Sequence, residues 1–194
     1  MKFVKRLYYY IVGKIILPFV YDKKYLKGYF YRGKLGGAGF EVACKDFFNC
    51  KRLGINKGVP FPVNPHTVVV GAENIRFDKD DLHIFQTPGC YFQAIGNIIL
   101  GKGCYVAPNV GIITANHLFN DLTKHSLPKE VIIGKNCWIG MNSVILPGVK
   151  LGDNTIVGAG SVVTKSFEEG NCVICGNPAK KIKDLIMEKK NNNE

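Results

Sequence analysis

The chain has 194 residues, 46% of them hydrophobic and 21% charged, and its 26 Lys and Arg against 15 Asp and Glu leave a net charge of +11. That is one globular domain's worth of chain, able to bury roughly 70% of its extended surface without disulfides or a structural metal, and its composition is neither disordered nor collagen-like. The charge is lopsided: residues 1–58 hold 13 basic and 3 acidic side chains, whereas residues 59–194 hold 13 and 12. The larger part is nearly neutral and carries no nucleic-acid-binding motif, which argues against a nucleic-acid partner.

The chain starts with a basic stretch, Met1 to Arg6, and continues in an apolar run from Leu7 to Tyr21 interrupted by Lys14 and Pro18. The run is too short and too broken to span a bilayer. Asp22-Lys23-Lys24 follows where a signal peptide would place a small-residue cleavage site. Two readings stay open: a helix lying in the headgroup region of an anionic membrane, so that residues 1–24 make a peripheral contact, and a helix packed on the main domain with its lysines in water. Seven cysteines form an odd set without zinc-ribbon spacing. In a leaderless, cytoplasmic chain they read as free thiols. Cys172-Val173-Ile174-Cys175 matches C-x-x-C, but no helix follows as a redox motif requires.

From residue 98 onward a six-residue period takes over. Ile133, Ile139, Ile145, Leu151, Val157 and Val163 follow one another at intervals of six, with Gly behind four of them. Four residues after each comes a second inward position, Cys137, Ser143, Val149, Thr155, Ser161 and Phe167. Leu100, Val106 and Ile112 keep the same beat, with Cys104 and Val110 between them. The period fits neither a helix nor a long alternating strand; it predicts short flat strands joined by sharp turns, with Gly and Asn where the backbone needs unusual angles. Leu100 to Ile112 and Ile133 to Val163 are out of phase, so a loop with two histidines, spanning about residues 115–131, is inserted between them. A loop thrown out of a regular coil is where function is expected.

These repeats resemble those of the left-handed parallel β-helix acyltransferases. The resemblance implies an all-β coil over residues 67–177, preceded by a basic, partly amphipathic region (1–66) and followed by a short C-terminal helix and polar tail (178–194). Thr114-Ala115-Asn116-His117, the loop, and Trp138-Ile139-Gly140 resemble the galactoside, xenobiotic and polysaccharide O-acetyltransferase branch. By that resemblance His117 is the general base and Asn116 neighbours the acceptor. A sugar hydroxyl is too weak an acid to attack a thioester unaided, and an imidazole titrating near neutrality suits the proton transfer. Direct transfer needs no acyl-enzyme, and neither Ser143 nor Ser161 has a base beside it in the sequence. Gly158 to Lys165 and Gly176-Asn177-Pro178-Ala179-Lys180 resemble the family's coenzyme end. Acetyl-CoA would then run past Ala159, Thr164 and Lys165, with Lys180 and Lys183 facing its phosphates and Trp138 and Met141 beside the groove. Met141 departs from the hydroxyl residue that some relatives carry. The resemblance further implies a homotrimer with active sites between subunits, and no metal.

Acceptor residues are harder to place, because residues 82–97 depart from the galactoside pattern; Gln93 and Asn97 are the candidates there. The basic N-terminal region suits an acceptor held at a membrane, which favours a capsular or lipopolysaccharide O-acetyltransferase. Four other readings compete. An antibiotic-inactivating acetyltransferase or a sugar-nucleotide N-acyltransferase keeps the transfer and changes the acceptor. A zinc enzyme resembling the γ-class carbonic anhydrases needs three histidines, and only His83 and His117 stand at suitable coil positions. A non-catalytic solenoid would bind a membrane or partner through its basic arm and take no coenzyme.

Overall fold

The computed structural model describes residues 2–186 apart from 33, 34 and 36. Among the described residues two α-helices precede the coil: α1 (Lys2–Ile16) and α2 (Gly39–Asn49). They pack together through Tyr10 and Phe40, whose rings meet edge to face at 5.4 Å. Gly13 permits the approach, since a Cβ there would collide with the Phe40 ring. One side of α1 is thus docked on the protein, as the packed-helix reading expects, and the other side faces solvent.

The coil has three faces, each a parallel sheet. It opens with β1 (Val68–Val70) on the first face and β2 (Ile75–Arg76) on the second. A 3-10 turn over Lys79–Gln86 stands where the third strand would be. The next strands occupy the first, second and third faces in turn: β3 (Tyr91–Gln93), β4 (Ile98–Leu100) and β5 (Tyr105–Val106). After β6 (Gly111–Ile113) on the first face, the chain leaves the coil as a hairpin, β7 (His117–Leu118) and β8 (Asp121–His125). It returns on the second face as β9 (Val131–Ile133), then runs through β10 (Trp138–Ile139), β11 (Val144–Ile145), β12 (Lys150–Leu151), β13 (Ile156–Val157) and β14 (Val162–Val163). The last parallel strand is β15 (Cys172–Gly176) on the third face, and β16 (Ala179–Asp184) folds back antiparallel along its edge.

Registry explains the period. Ile133 pairs with Leu151, Ile139 with Val157 and Ile145 with Val163, so each aliphatic meets the third one after it, and three hexads complete one turn of the coil. All six are buried, as are Leu100, Val106 and Ile112. Ile112 and Ile133 occupy successive faces although far more than one hexad of chain lies between them. The surplus is the hairpin, inserted at the corner between the first and second faces. The second inward positions fill the corners with small side chains: Cys104, Cys137, Thr155 and Cys172 at one, Thr67, Cys90, Val110, Ser143 and Ser161 at another, all buried. Their polar atoms bond the backbone of adjoining turns, as Ser143 Oγ does to the Gly158 carbonyl at 3.0 Å. All seven thiols are free. Asn136, Asn142 and Asn154 turn the corners at positive φ, which a short polar side chain tolerates.

Two expectations are corrected. The segment after Gly176 is strand, not helix, through Asp184: β15 presents an unpaired edge, and pairing along it satisfies backbone groups that a lone short helix would leave to water. Residues 187–194, the rest of the expected helix and tail, lie outside the described residues. Phe167 is half-buried and bridges Leu151 on the second face, so it takes a strand position and not a corner. The end of the coil nearer the N-terminus is closed by aromatic rings that the repeat does not announce: Phe61, Phe85 and Phe92 are fully buried and lie in sequence at 4.5 and 4.9 Å, with Tyr25 stacked on Phe77 at 5.2 Å. They cover aliphatics that a bare coil end would expose.

Candidate active site

His117 is held out from the coil by the hairpin. Its root is tied to the first face by Gln93, whose buried side-chain oxygen accepts from the backbone N–H of Thr114 at 3.2 Å and of Ala115 at 3.0 Å. Thr114 Oγ1 donates back to the Gln93 carbonyl at 2.7 Å. Across the loop Ser126 N donates to the Asn116 carbonyl at 2.7 Å and Lys129 N to that of Thr114 at 2.7 Å. Asp121 closes the tip by accepting from Thr123 N and Oγ1 and pairing with Lys124 at 2.9 Å. The exposed carboxyl of Asp121 is held below the usual carboxylate range, chiefly by the Thr123 hydroxyl and then by Lys124.

The antiparallel register sets His125 opposite His117, and the two imidazoles lie 4.3 Å apart, tilted by 36°. His117 is exposed and lines a cavity of about 610 Å³ together with Asn116, Ser126, Lys129 and Pro147. Phe119 and Leu127, also on its wall, are almost entirely in solvent within the single chain. Such an arrangement offers an imidazole able to take a proton, an amide, a hydroxyl and an ammonium around an open space of ligand size. Ser126 and Lys129 are not singled out by sequence; their only signal is membership of the inserted loop.

The other expected site residues fall into three places. Thr164 and Lys165 are exposed at the corner from which the hairpin leaves; the bond from Leu146 N to the Val163 carbonyl, 3.0 Å, stacks Lys165 over Pro147. Lys165 Nζ sits 5.7 Å from the centre of the Phe167 ring and lines a separate cavity of about 400 Å³ with Glu168 and Glu169. Met141 and Ala159 are exposed at the corner between the third and first faces, where Gly160 N donates to the Met141 carbonyl at 2.8 Å. Trp138, Lys180 and Lys183 belong to the third face: Trp138 aligns with Ile156, Ile156 with Val173 and Val173 with Lys183, one ladder of outward side chains. The single chain therefore does not gather these positions around His117.

Gln93 is buried and gives its side-chain oxygen to the backbone of Thr114 and Ala115, so it ties down the root of the loop. Asn97 is exposed but lies outside the His117 cavity, donating to Glu130 at 3.2 Å. His83 is structural, its Nε2 2.9 Å from the Cys104 carbonyl and its ring beside Tyr105. Among the described residues no group of three His, Cys, Asp or Glu side chains is placed to hold a metal ion.

The bacterial transferase hexapeptide model of six repeats matches residues 130–165. A protein of Lysinibacillus sphaericus named "Probable macrolide acetyltransferase" is 34% identical over 122 residues, which cover 52% of this chain and 67% of that one. The chain belongs to the bacterial hexapeptide transferases. Its three-faced coil is accordingly a left-handed β-helix. Galactoside O-acetyltransferase of Escherichia coli is 39% identical over 93 residues, 45% of this hexapeptide transferase and 46% of that protein. The crystal structure of a maltose O-acetyltransferase from Clostridium difficile aligns with a TM-score of 0.47 and 40% identity over 50% of this chain and 53% of that one. The chain spans about half the length of the first curated relatives it matches.

Proposed function

We propose that this hexapeptide transferase is an acyl-CoA-dependent O-acetyltransferase that moves an acetyl group from acetyl-CoA directly to a sugar hydroxyl of a surface polysaccharide, capsule or lipopolysaccharide, with His117 as general base. The observation that carries the reading is the exposed imidazole of His117 on the wall of a cavity of about 610 Å³, on a loop inserted at a corner of the coil. A relative named galactoside O-acetyltransferase supports the choice of a sugar hydroxyl.

His117 accepts the hydroxyl proton on an unprotonated ring nitrogen as the acceptor oxygen bonds to the thioester carbonyl carbon. The C–S bond breaks, and the imidazolium returns its proton to the leaving thiolate, so the imidazole ends as it began. Asn116, Ser126 and Lys129 orient the acceptor. For acetyl-CoA, two exposed lysines on β16, Lys180 and Lys183, fit the phosphates, since among the described residues neither is paired to a carboxylate. Trp138 and Ala159 and the Met141 edge complete the path, with Thr164 and Lys165 at the hairpin corner. These positions lie on different corners of one chain. A homotrimer would set one subunit's hairpin corner against its neighbour's third face, and the nearly naked Phe119 and Leu127 suit burial in such a contact. The enzyme acts in the cytoplasm, with residues 1–24 in peripheral contact with the membrane.

The test is release of free CoA from acetyl-CoA over a panel of glycan and macrolide acceptors. Acceptor-dependent release that drops at least about a hundredfold in His117→Ala is expected. An unchanged rate would remove His117 as base. The relative named for macrolide acetylation favours a second reading, inactivation of a macrolide at its hydroxyl; turnover confined to macrolides would select it.

A further inference from the structure

Docked as it is against α2, helix α1 still leaves a continuous apolar stripe in solvent. Phe3, Val4, Tyr8, Ile11 and Ile15 are each at least half exposed, and Phe19 just beyond the helix is 90% exposed. At about 100° per residue the five helical positions fall on one arc roughly 140° wide. The helix carries no acidic residue, and Lys14 sits at the rim of the stripe, its Nζ 5.5 Å from the centre of the Tyr10 ring.

Beside the stripe is a cavity of about 280 Å³ lined by Lys14, Lys23 and Lys27, with Phe40, Leu26 and Pro18 as apolar walls. Among the described residues no carboxylate lines it. The intervening Lys24 points elsewhere and pairs with Asp22 at 3.5 Å. Three ammonium groups around an apolar cup recognise a compact anion of phosphate chemistry next to hydrocarbon, which is the composition of a phospholipid at the membrane boundary.

Charge decides between the occupants of this face. A second copy would bring one strongly basic segment, 13 cations to 3 anions over residues 1–58, against another, whereas an anionic bilayer neutralises it. The geometry decides the mode: 15 residues of helix reach only about 22 Å, short of the roughly 30 Å hydrocarbon core, and among the described residues no helix is long and apolar enough to cross a membrane. We propose that α1 lies in the plane of an anionic bilayer, with Phe3, Val4, Tyr8, Ile11, Ile15 and Phe19 at the acyl boundary, and that Lys14, Lys23 and Lys27 close around a lipid phosphate. This gives residues and an occupant to the membrane contact of the functional reading and is independent of that reading's chemistry.

The full-length protein is sedimented with phosphatidylcholine vesicles and with vesicles of phosphatidylcholine and phosphatidylglycerol in equal parts. Wild type binds the second and not the first. Ile11→Glu/Ile15→Glu abolishes binding, and Lys14→Gln/Lys23→Gln/Lys27→Gln weakens it by roughly a hundredfold, at about a kcal/mol for each lysine at the surface. All five positions are on the protein's outside, so both variants keep the wild-type melting curve and CoA release with a soluble acceptor. Wild type that ignores anionic vesicles, or variants that bind as wild type does, would overturn the proposal. A fall in oligomer mass on Ile11→Glu/Ile15→Glu with no vesicle binding by wild type would overturn it in favour of a second copy. Wild type that fails to bind anionic vesicles while its His117-dependent turnover persists sinks only the docking surface; wild type that binds them without turnover sinks only the chemistry.

Discussion

Lys180 and Lys183 stand on the same side of β16 although they are three positions apart. In a regular strand they would point to opposite sides; here the register shifts, leaving Ile182 without a partner, so that Lys180 faces Cys175 and Lys183 faces Val173, which share the outer side of β15. Lys181 is turned to the other side and pairs with Asp184. If the shared side meets the coenzyme phosphates, Lys180→Ser/Lys183→Ser raises KM for acetyl-CoA about tenfold with kcat little changed. Lys181→Ser leaves both constants as they are. Steady-state kinetics in acetyl-CoA reads this, and an unmoved KM in the double variant would take both lysines out of the coenzyme path.

With His117 as the proposed base, His125 is placed to position it, the two rings lying 4.3 Å apart between centroids. We expect His125→Ala to lower kcat by roughly tenfold, well short of the loss in His117→Ala, without raising KM for acetyl-CoA. A flat ring is enough to hold the neighbour, so His125→Phe recovers most of the rate. Equal losses in His125→Ala and His125→Phe would mean that its nitrogen atoms matter and not its plane.

Gln93 should show itself through stability. Replacing it by Leu keeps the size and the backbone carbonyl that also accepts from Thr114 N, but leaves the buried N–H of Ala115 without its acceptor, at a cost of about 1–3 kcal/mol. Urea unfolding would measure it. The hairpin root loosens too, so kcat falls while KM for acetyl-CoA holds; full stability in Gln93→Leu would contradict this bonding.

Asp46 makes stability depend on pH. Burial pushes its carboxyl above the usual carboxylate range, and the bonds from Tyr21, 2.6 Å, and Val63 N, 3.2 Å, with the nearby charge of Lys51, offset only part of that. Its Oδ1 has no hydrogen-bond partner. The folded chain therefore holds this proton more tightly than the unfolded chain. Stability falls as pH rises from the unfolded value near 4 through the raised folded value, and levels off above it. Asp46→Asn lacks this titration, so the stability of wild type relative to the variant is greater at about pH 4.5 than at about pH 7.5. Denaturant unfolding at the two pH values checks the sign; a difference independent of pH would show that Asp46 titrates as an ordinary carboxylate.

Much of the coil is legible because its code is local. Every sixth-residue aliphatic from Ile133 to Val163 is buried on schedule, and Cys104, Cys137 and Thr155 stack beside them, because each hexad needs only its own turn and the turns above and below. The inserted loop is legible as a break in phase. The hold of Gln93 on the loop root is not legible, because an amide on a coil looks the same in sequence whether it faces a ligand or the distant backbone of Thr114.

The repeat, the break that carries His117, the free thiols and the basic character of residues 1–58 can all be read from the chain directly, since each is a property of neighbours along it. That Ala179–Asp184 is an edge strand with two lysines on one side, that aromatic rings close the coil, and that α1 packs one face and leaves the other bare emerge only in the folded molecule. Those outcomes depend on which unpaired backbone edge or uncovered apolar surface lies near a segment once the coil has formed, and that proximity is written in no single stretch of residues.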